Sequence, residues 1–580
     1  MGILWGLAAW ALFALVLPAQ ALAEPAPGYD PRAAFAPLAS PQAVNAYRGG
    51  DGAPGPAYWT NRADYDIRAT LDPVAKTLAG VAVISYANNS PNALDVLWLH
   101  LDQNIYREDS RSGAMRNRAR PNVTDGFVLE KVEIISRGRA AEADYIVSDT
   151  RMQIRLPRAL GPGGRVQVRI AYHYAIPGQW GGRTSWVDSP SGPIFDIAQW
   201  YPRMAVYDDL RGWDAAPYLG QEFYLDYGDF DYAVTAPADM IVAGSGALVN
   251  AREVLTREQR ARLAAAAASD ATVMIRTPEE ARAAPAAEDA VRTWRFHMSN
   301  TRDVAFAASR AFVWDAARIA LPDGRASLAM SFYPPESAGA AAWGRSTEYL
   351  KHAVEEFSRR WMAYPYPAAI NVGGGVSGME YPGLVFDGMA LEGKALFWLT
   401  AHEIGHTWFP MIVGSNERRD AFMDEGFNTF IDVYESDAFE GGVYGPKRDS
   451  EYAPGGGNPA DEILPLLEDA GAPPIMTRAD SIAEPYRHTV NYFKTALGLV
   501  LLREQVLGPA RFDPAFRAYI RAWAWRHPTP WDFFRFMESH TGEDLAWFWR
   551  GWFLNNWRLD QAITQIAYVD GDPAKGAMIT

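Results

Sequence analysis

Between residues 57 and 310 the apolar positions recur every second residue, in short runs. Tyr65–Leu71 alternates in part, and Gly80–Tyr86 (GVAVISY) is β-branched and apolar. Asp95–Leu101 (DVLWLHL) and Arg165–Tyr174 (RVQVRIAYHY) alternate throughout, and Phe230–Pro237 and Met240–Ala243 continue the pattern. A period of two sends successive side chains to opposite faces of a strand. With turn residues between the runs, this predicts an all-β domain over 57–310. Thr256–Ala268 (TREQRARLAAAAA) breaks the pattern. Its Ala and Arg content predicts a solvated helix, inserted in the β domain near 256–268.

Past residue 340 the period lengthens to that of a helix. Ser346–Met362, Lys394–Ile412, Asp420–Tyr434, Asn491–Val506, Pro514–Trp525 and Trp531–Phe553 carry helical spacing. They predict a mainly α-helical domain over 311–560, with one strand and a Gly-rich loop ahead of Lys394. Glu440–Pro474, rich in Gly and Pro, is expected to be a long loop over a cleft. Residues 561–580 read as a C-terminal remnant or the start of a short β segment. The fold class is α+β, with an N-terminal β domain and a helical second domain.

The N-terminus changes the picture of compartment. Ile3–Leu17 is an uninterrupted apolar run, closed by Pro18 and followed by the small-x-small signal Ala21-Leu22-Ala23. It is shorter than the ~20 residues of a comfortable bilayer span. Residues 1–23 therefore read as a signal peptide, with an uncleaved anchor as the alternative. Residues 24–56, rich in Ala, Pro and Gly, read as a flexible leader. The expected location is exported, periplasmic or secreted, with no stable membrane span once the signal is removed.

Composition narrows the chemistry. A formal charge of -15 over 580 residues excludes a nucleic-acid binder, which needs basic patches to displace counterions. There is no cysteine, so disulfides and thiolate ligands are excluded, and any zinc site must use His, Asp and Glu.

His402-Glu403-Ile404-Gly405-His406 supplies such a set. Residues i and i+4 share one helix face, so both imidazoles can reach one ion, and Glu403 stands beside it where it can hold a polarised water. Glu425 follows His406 after 18 residues, on a second predicted helix that can pack antiparallel to the first. Two His, one Glu and a water make an open, catalytic site. Ahead of this helix, Gly373-Gly374-Gly375-Val376-Ser377-Gly378-Met379-Glu380-Tyr381 has glycines that would let a substrate backbone approach closely. Its carboxylate could bind an ammonium group.

HEIGHTWF followed by DEGF at this spacing resembles the gluzincin aminopeptidases, the family of aminopeptidase N and leukotriene hydrolase. The family pattern has Asn and Ala where this chain has Asp424 and Asn428, departures read as lying outside the ligand set. The resemblance implies a thermolysin-like second domain, one zinc per chain held by His402, His406 and Glu425, and Glu403 as general base. Gly378-Met379-Glu380 is similar to the family's G-x-M-E-N motif, which implies that Glu380 holds the free α-amine; Tyr381 stands in place of the Asn. Gln199, in Gln199-Trp200-Tyr201-Pro202, matches a second amine-facing position. Tyr492, in Asn491-Tyr492-Phe493-Lys494, resembles the family's Y-E-K-G segment and implies an oxyanion donor, with Tyr486 as its rival. The expected partners are peptides with a free N-terminus. Two alternatives remain: a zinc hydrolase of another substrate, such as an epoxide or an internal peptide bond, and a catalytically silent peptide-binding protein. Oligomeric state is not readable.

Overall fold

The computed structural model describes residues 35–116, 122–136, 138–178, 182–220, 223–283, 290–445, 459–557 and 563–580. The expected signal peptide and the first part of the expected leader lie outside the described residues.

The N-terminal domain is built on an eight-stranded sheet. In spatial order its strands are Ala247–Leu248, Val291–Thr301, Gly228–Pro237, Arg62–Asp72, Thr77–Ala87, Arg165–Ala175, Val128–Ser136 and Arg139–Glu142. The period-two pattern has its physical counterpart in Arg62–Asp72, where Ala63, Tyr65, Ile67, Ala69 and Leu71 face inward and the residues between them face out. One smaller sheet matters for the site. It runs Ile241–Gly244, Phe306–Ser309, Gly192–Ile197, Ser185–Ser189. Trp200, just past its third strand, packs edge-on against Tyr232 of the large sheet and Phe306 of the small one.

The second domain opens on a six-stranded sheet in the order Val273–Arg276, Val313–Ala320, Ala326–Tyr333, Ala368–Gly374, Leu384–Gly388, Met379–Tyr381. Two expectations are corrected here. The region ahead of Lys394 holds several strands, not one. Val313–Ala320 (VWDAARIA) and Ala326–Tyr333 (ASLAMSFY) are Ala-rich and weakly patterned, and pairing to neighbours decides their conformation. The helix Arg257–Ala266, closed by a Thr256/Gln259 capping box, leads into Val273–Arg276, which pairs with Val313–Ala320. This insertion therefore extends the second domain's sheet instead of decorating the first domain.

Helix Ser346–Arg360 packs on this sheet and against helix Gly393–Gly405, which in turn packs on helix Glu425–Ser436. The C-terminal helices Pro509–Trp523 and Pro530–Thr541 share an aromatic core in which Phe534 stacks on Trp549 at 4.4 Å. Within the expected loop Glu440–Pro474, residues 446–458 lie outside the described residues, and Pro459–Glu468 is a helix. Its apolar residues Ile463 and Leu466 are buried against the body of the protein, which outweighs the flanking Gly and Pro. Ile566–Tyr568 and Ala577–Ile579 form a small hairpin.

The leader expectation is also corrected. Gln42 donates to Asp532 at 2.6 Å and accepts from Thr529. Arg48, 1% exposed, pairs with Asp209 at 2.7 Å and with Asp532. Trp523 donates its indole N–H to the Gly52 carbonyl. Polar anchors, which composition does not reveal, dock residues 42–52 onto the C-terminal helices. No described helix is long and apolar enough to cross a membrane.

Candidate metal centre

Helix Gly393–Gly405 buries Leu396, Phe397, Ala401 and Ile404. That packing turns the opposite stripe, His402 with His406 one turn on, toward helix Glu425–Ser436. Gly405 is required at the crossing, because a Cβ there would lie 2.4 Å from Asn428 Oδ1. The close approach brings His402 Nε2, His406 Nε2 and Glu425 Oε2 to separations of 3.2, 3.4 and 3.5 Å. Ligands at about 2.0–2.1 Å around a tetrahedral ion would stand about 3.3 Å apart. Glu425 Oε2 is buried with no hydrogen bond of its own among the described residues. Both observations fit a zinc ion at this point.

The outer nitrogens of the two rings are held so that Nε2 faces inward. His402 Nδ1 lies 2.8 Å from Asp432 Oδ2, and His406 Nδ1 lies 2.9 Å from the Phe409 carbonyl and 2.8 Å from Asp424 Oδ1. Asn428 donates to the His402 carbonyl at 2.6 Å. Such partners fix ring orientation and raise ligand basicity. Asp424 and Asn428 are thus more than departures from a motif, since both touch the ligand histidines. The motif does not mark Asp432. Its signal was positional, because it lies two turns beyond Glu425 on the same helix face.

Glu403 is buried, 4% exposed. Burial pushes its carboxyl up to about 8, while His402 and His406 pull it back. Glu380, His406 and Asp424 each bring one atom within 4.8 Å of the others. Buried carboxyls of Glu380, Glu403, Asp424 and Glu425 therefore gather around two imidazoles, an excess of negative charge that a dication would balance.

Glu380 lies on the short strand Met379–Tyr381, at the edge of the six-stranded sheet. Of the loop glycines, Gly378 (φ +75°) faces the centre, where an added Cβ would stand 3.5 Å from Glu403 Oε1. The run Gly373–Gly375 has another cause than the expected substrate approach. Added Cβ atoms there would meet Trp343 and Tyr333, Asp196, and Val187 respectively, at 2.3–3.1 Å. These glycines make room for the protein's own packing. Tyr381, in place of the family Asn, is buried against Phe223 and Phe386.

Tyr492 donates to Glu425 Oε1 at 2.5 Å, and its ring stacks on His402 at 6.0 Å. It sits on a wide helical turn, Thr489–Lys494. Gly426 lets this segment close on the Glu425 helix, because a Cβ there would lie 2.4 Å from the Thr495 side chain. Tyr486 instead bonds Asp469. Gln199 is buried in the left-handed region (φ 51°), with its carbonyl taken by Gln103 at 2.9 Å and its Oε1 3.5 Å from the Tyr218 hydroxyl. The structure thus brings His402, His406, Glu425, Glu403, Gly378, Glu380 and Tyr492 to one centre, and places Gln199 in a neighbouring buried network.

Residues 389–552 match the model of the peptidase family M1 domain. Similar solved structures include an M1 zinc metallopeptidase from Deinococcus radiodurans, at 15% identity and a TM-score of 0.56, covering 88% of this chain and 98% of that one. A variant of that protein, described as bound to a Tyr-Ser-Ala substrate, aligns at 16% identity with the same TM-score and coverage. A two-domain M1 zinc metallopeptidase variant, described as bound to L-tryptophan, aligns at 15% identity, again with a TM-score of 0.56 and the same coverage. At such identities the likeness is one of fold. A comparison with curated proteins finds no match. Residues 389–552, which include both metal-binding helices, thus match the peptidase family M1 domain, and the chain shares the two-domain fold of these zinc metallopeptidase structures.

Proposed function

We propose that the protein is an aminopeptidase, removing N-terminal residues from peptides with one zinc per chain held by His402, His406 and Glu425. Zinc held there would supply Lewis acidity for polarising a carbonyl and acidifying the attacking water. Glu403 takes the proton of the attacking water and passes it to the leaving amine. The Tyr492 hydroxyl, protonated at neutral pH, donates to the carbonyl oxygen as negative charge develops there. Glu380 binds the substrate's ammonium group, and its edge strand offers main-chain pairing to an extended peptide. Gln199 supports the same end of the substrate through the Tyr218 and Gln103 network.

The observation that carries this reading is the proximity of Glu380 to His406. An α-amine is separated from the scissile carbonyl by a single Cα, so a carboxylate this close to the metal ligands suits a terminal amine. The free amino acid and tripeptide described in the similar structures have the size of product and substrate for this reaction. The apolar run Ile3–Leu17 with Ala21-Leu22-Ala23 is the ground for placing the enzyme outside the cytoplasm; N-terminal sequencing of the mature protein tests that.

The test of activity is a panel of fluorogenic aminoacyl substrates, free or N-acetylated, with and without a chelator. The expected result is cleavage of free-amine substrates alone, lost on chelation and restored by zinc. Equal cleavage of blocked substrates would mean an endopeptidase. Zinc binding without peptide cleavage would favour another substrate.

A further inference from the structure

The strand Gly192–Ile197 belongs to the N-terminal domain, yet it carries a carboxylate that reaches the loop leading to Glu380. Asp196 is fully buried, and its Oδ2 accepts the amide N–H groups of Gly375 at 2.8 Å and Val376 at 3.0 Å. Contact is tight on both sides. A Cβ on Gly374 would stand 2.3 Å from each Asp196 carboxylate oxygen, and one on Gly375 would stand 2.9 Å from Val187, on the neighbouring strand Ser185–Ser189. Beyond this point Gly378 donates to the Phe386 carbonyl, and Gly388 donates to Ser377 Oγ. The loop is therefore fastened by the N-terminal domain at Gly375–Val376 and by its own sheet at Ser377–Gly378, two residues before Glu380.

We propose that Asp196 is a positioning residue for amine recognition. By clamping the two loop amides it fixes the path of Gly375–Glu380, so that the N-terminal domain sets where the Glu380 carboxylate stands. The inference rests on the aminopeptidase reading for its kinetic consequence, but not for its structural one. One acceptor oxygen serving the part-buried Gly375 N–H and the buried Val376 N–H is a demanding arrangement, because its removal leaves the Val376 donor unsatisfied away from water and frees Gly375 beside it. Burial pushes the Asp196 carboxyl up to about 7, with the two amide bonds pulling it back. The strand ends at Ile197 and the chain reaches Gln199 two residues later, so one segment of the N-terminal domain carries both Asp196, which holds the Glu380 loop, and Gln199.

The experiment compares the full-length, zinc-loaded protein with Asp196→Ala and Asp196→Asn. Two readouts are taken: steady-state kinetics on a free-amine aminoacyl substrate, and amide hydrogen exchange over 373–380. Asp196→Ala is expected to raise KM about tenfold with kcat changed less than about threefold, and to speed exchange across the loop. Asp196→Asn keeps an oxygen that can accept both N–H groups, and should restore KM to within about threefold of the parent. A purely structural residue would lower the active fraction, and hence kcat, and leave KM alone. Unchanged KM and unchanged loop exchange in Asp196→Ala would overturn the proposal, as would an Asn variant as damaged as the Ala one. If the parent cleaves no aminoacyl substrate, the functional reading has failed, and loop exchange alone decides whether the clamp exists. If Asp196→Ala does not fold, Gly374→Ala presses a methyl group into the same carboxylate. It should loosen 373–380 in the same sense, and an unaltered loop would refute the clamp.

Discussion

The metal side of the cleft is made from two helices that are neighbours in the chain, with 18 residues between the second histidine and the last ligand. The opposite side is a loop held by a strand that lies 179 and 180 residues away in sequence. On the first side, geometry follows from helix periodicity and one close crossing at Gly405 and Asn428. On the second, no local rule brings Asp196 to Gly375. The metal side should therefore respond to substitution in kcat and zinc content, and the loop side in KM and substrate choice. A centre built from sequential helices can be kept by a short motif, whereas the face that chooses the substrate depends on how two domains meet.

The largest effect that would sharpen this contrast is expected from Glu403→Gln. The amide keeps the shape and removes the proton acceptor, so kcat should fall by about 10²–10⁴-fold. Glu403 holds no metal in the proposed arrangement, so zinc content by elemental analysis should stay that of the parent. A variant that lost its zinc together with its activity would show Glu403 to be part of the metal's support and would blur the division drawn here.

Next in size is Asp432→Ala. Asp432 touches no proposed substrate or metal position; it holds the Nδ1 side of His402 at 2.8 Å. Losing such an orienting partner typically weakens metal binding by about 10–100-fold. A competition titration against a chromophoric chelator should show that loss, with activity recovering when zinc is supplied in excess. Unchanged affinity would mean that the Asn428 bond to the His402 carbonyl and the packing of the helix suffice to hold the ring.

These residues also show what could be read in advance. The zinc ligands, Glu403 and the order of the two domains follow from spacing and period, which are local properties of the chain. Asp432 needed only the helix face of Glu425 to be traced two turns further. Asp196 could not be found that way, because in the sequence it is one carboxylate in a strand, and only tertiary packing aims it at Gly375 and Val376. Gly373–Gly375 do mark a close approach, but by Trp343, Asp196 and Val187 of the protein itself, while Gly378 faces the metal centre. The strands Val313–Ala320 and Ala326–Tyr333 were missed because pairing, not propensity, decides them. The docking of Gln42 and Arg48 was missed because buried polar anchors look like leader composition until their partners at Thr529 and Asp532 are known.

The smallest expected effect tests the converse, that an element announced by local signals is local in its energetics. Helix Arg257–Ala266 was visible as an Ala- and Arg-rich run. Thr256 caps it, accepting from Gln259 N at 3.1 Å, while the Gln259 side chain accepts from Thr256 N at 3.0 Å. Thr256→Ala removes half of this box and should cost about 1 kcal/mol of helix stability. The helix packs near Val273–Arg276, at the edge of the sheet whose other edge carries Glu380. Hydrogen exchange should therefore quicken across 257–266 and leave 373–380 as it was, with kcat and KM unchanged. If loosening this helix also loosened the loop, the six-stranded sheet would be transmitting strain from one edge to the other. Substrate recognition would then depend on the whole sheet as well as on the clamp from the N-terminal domain.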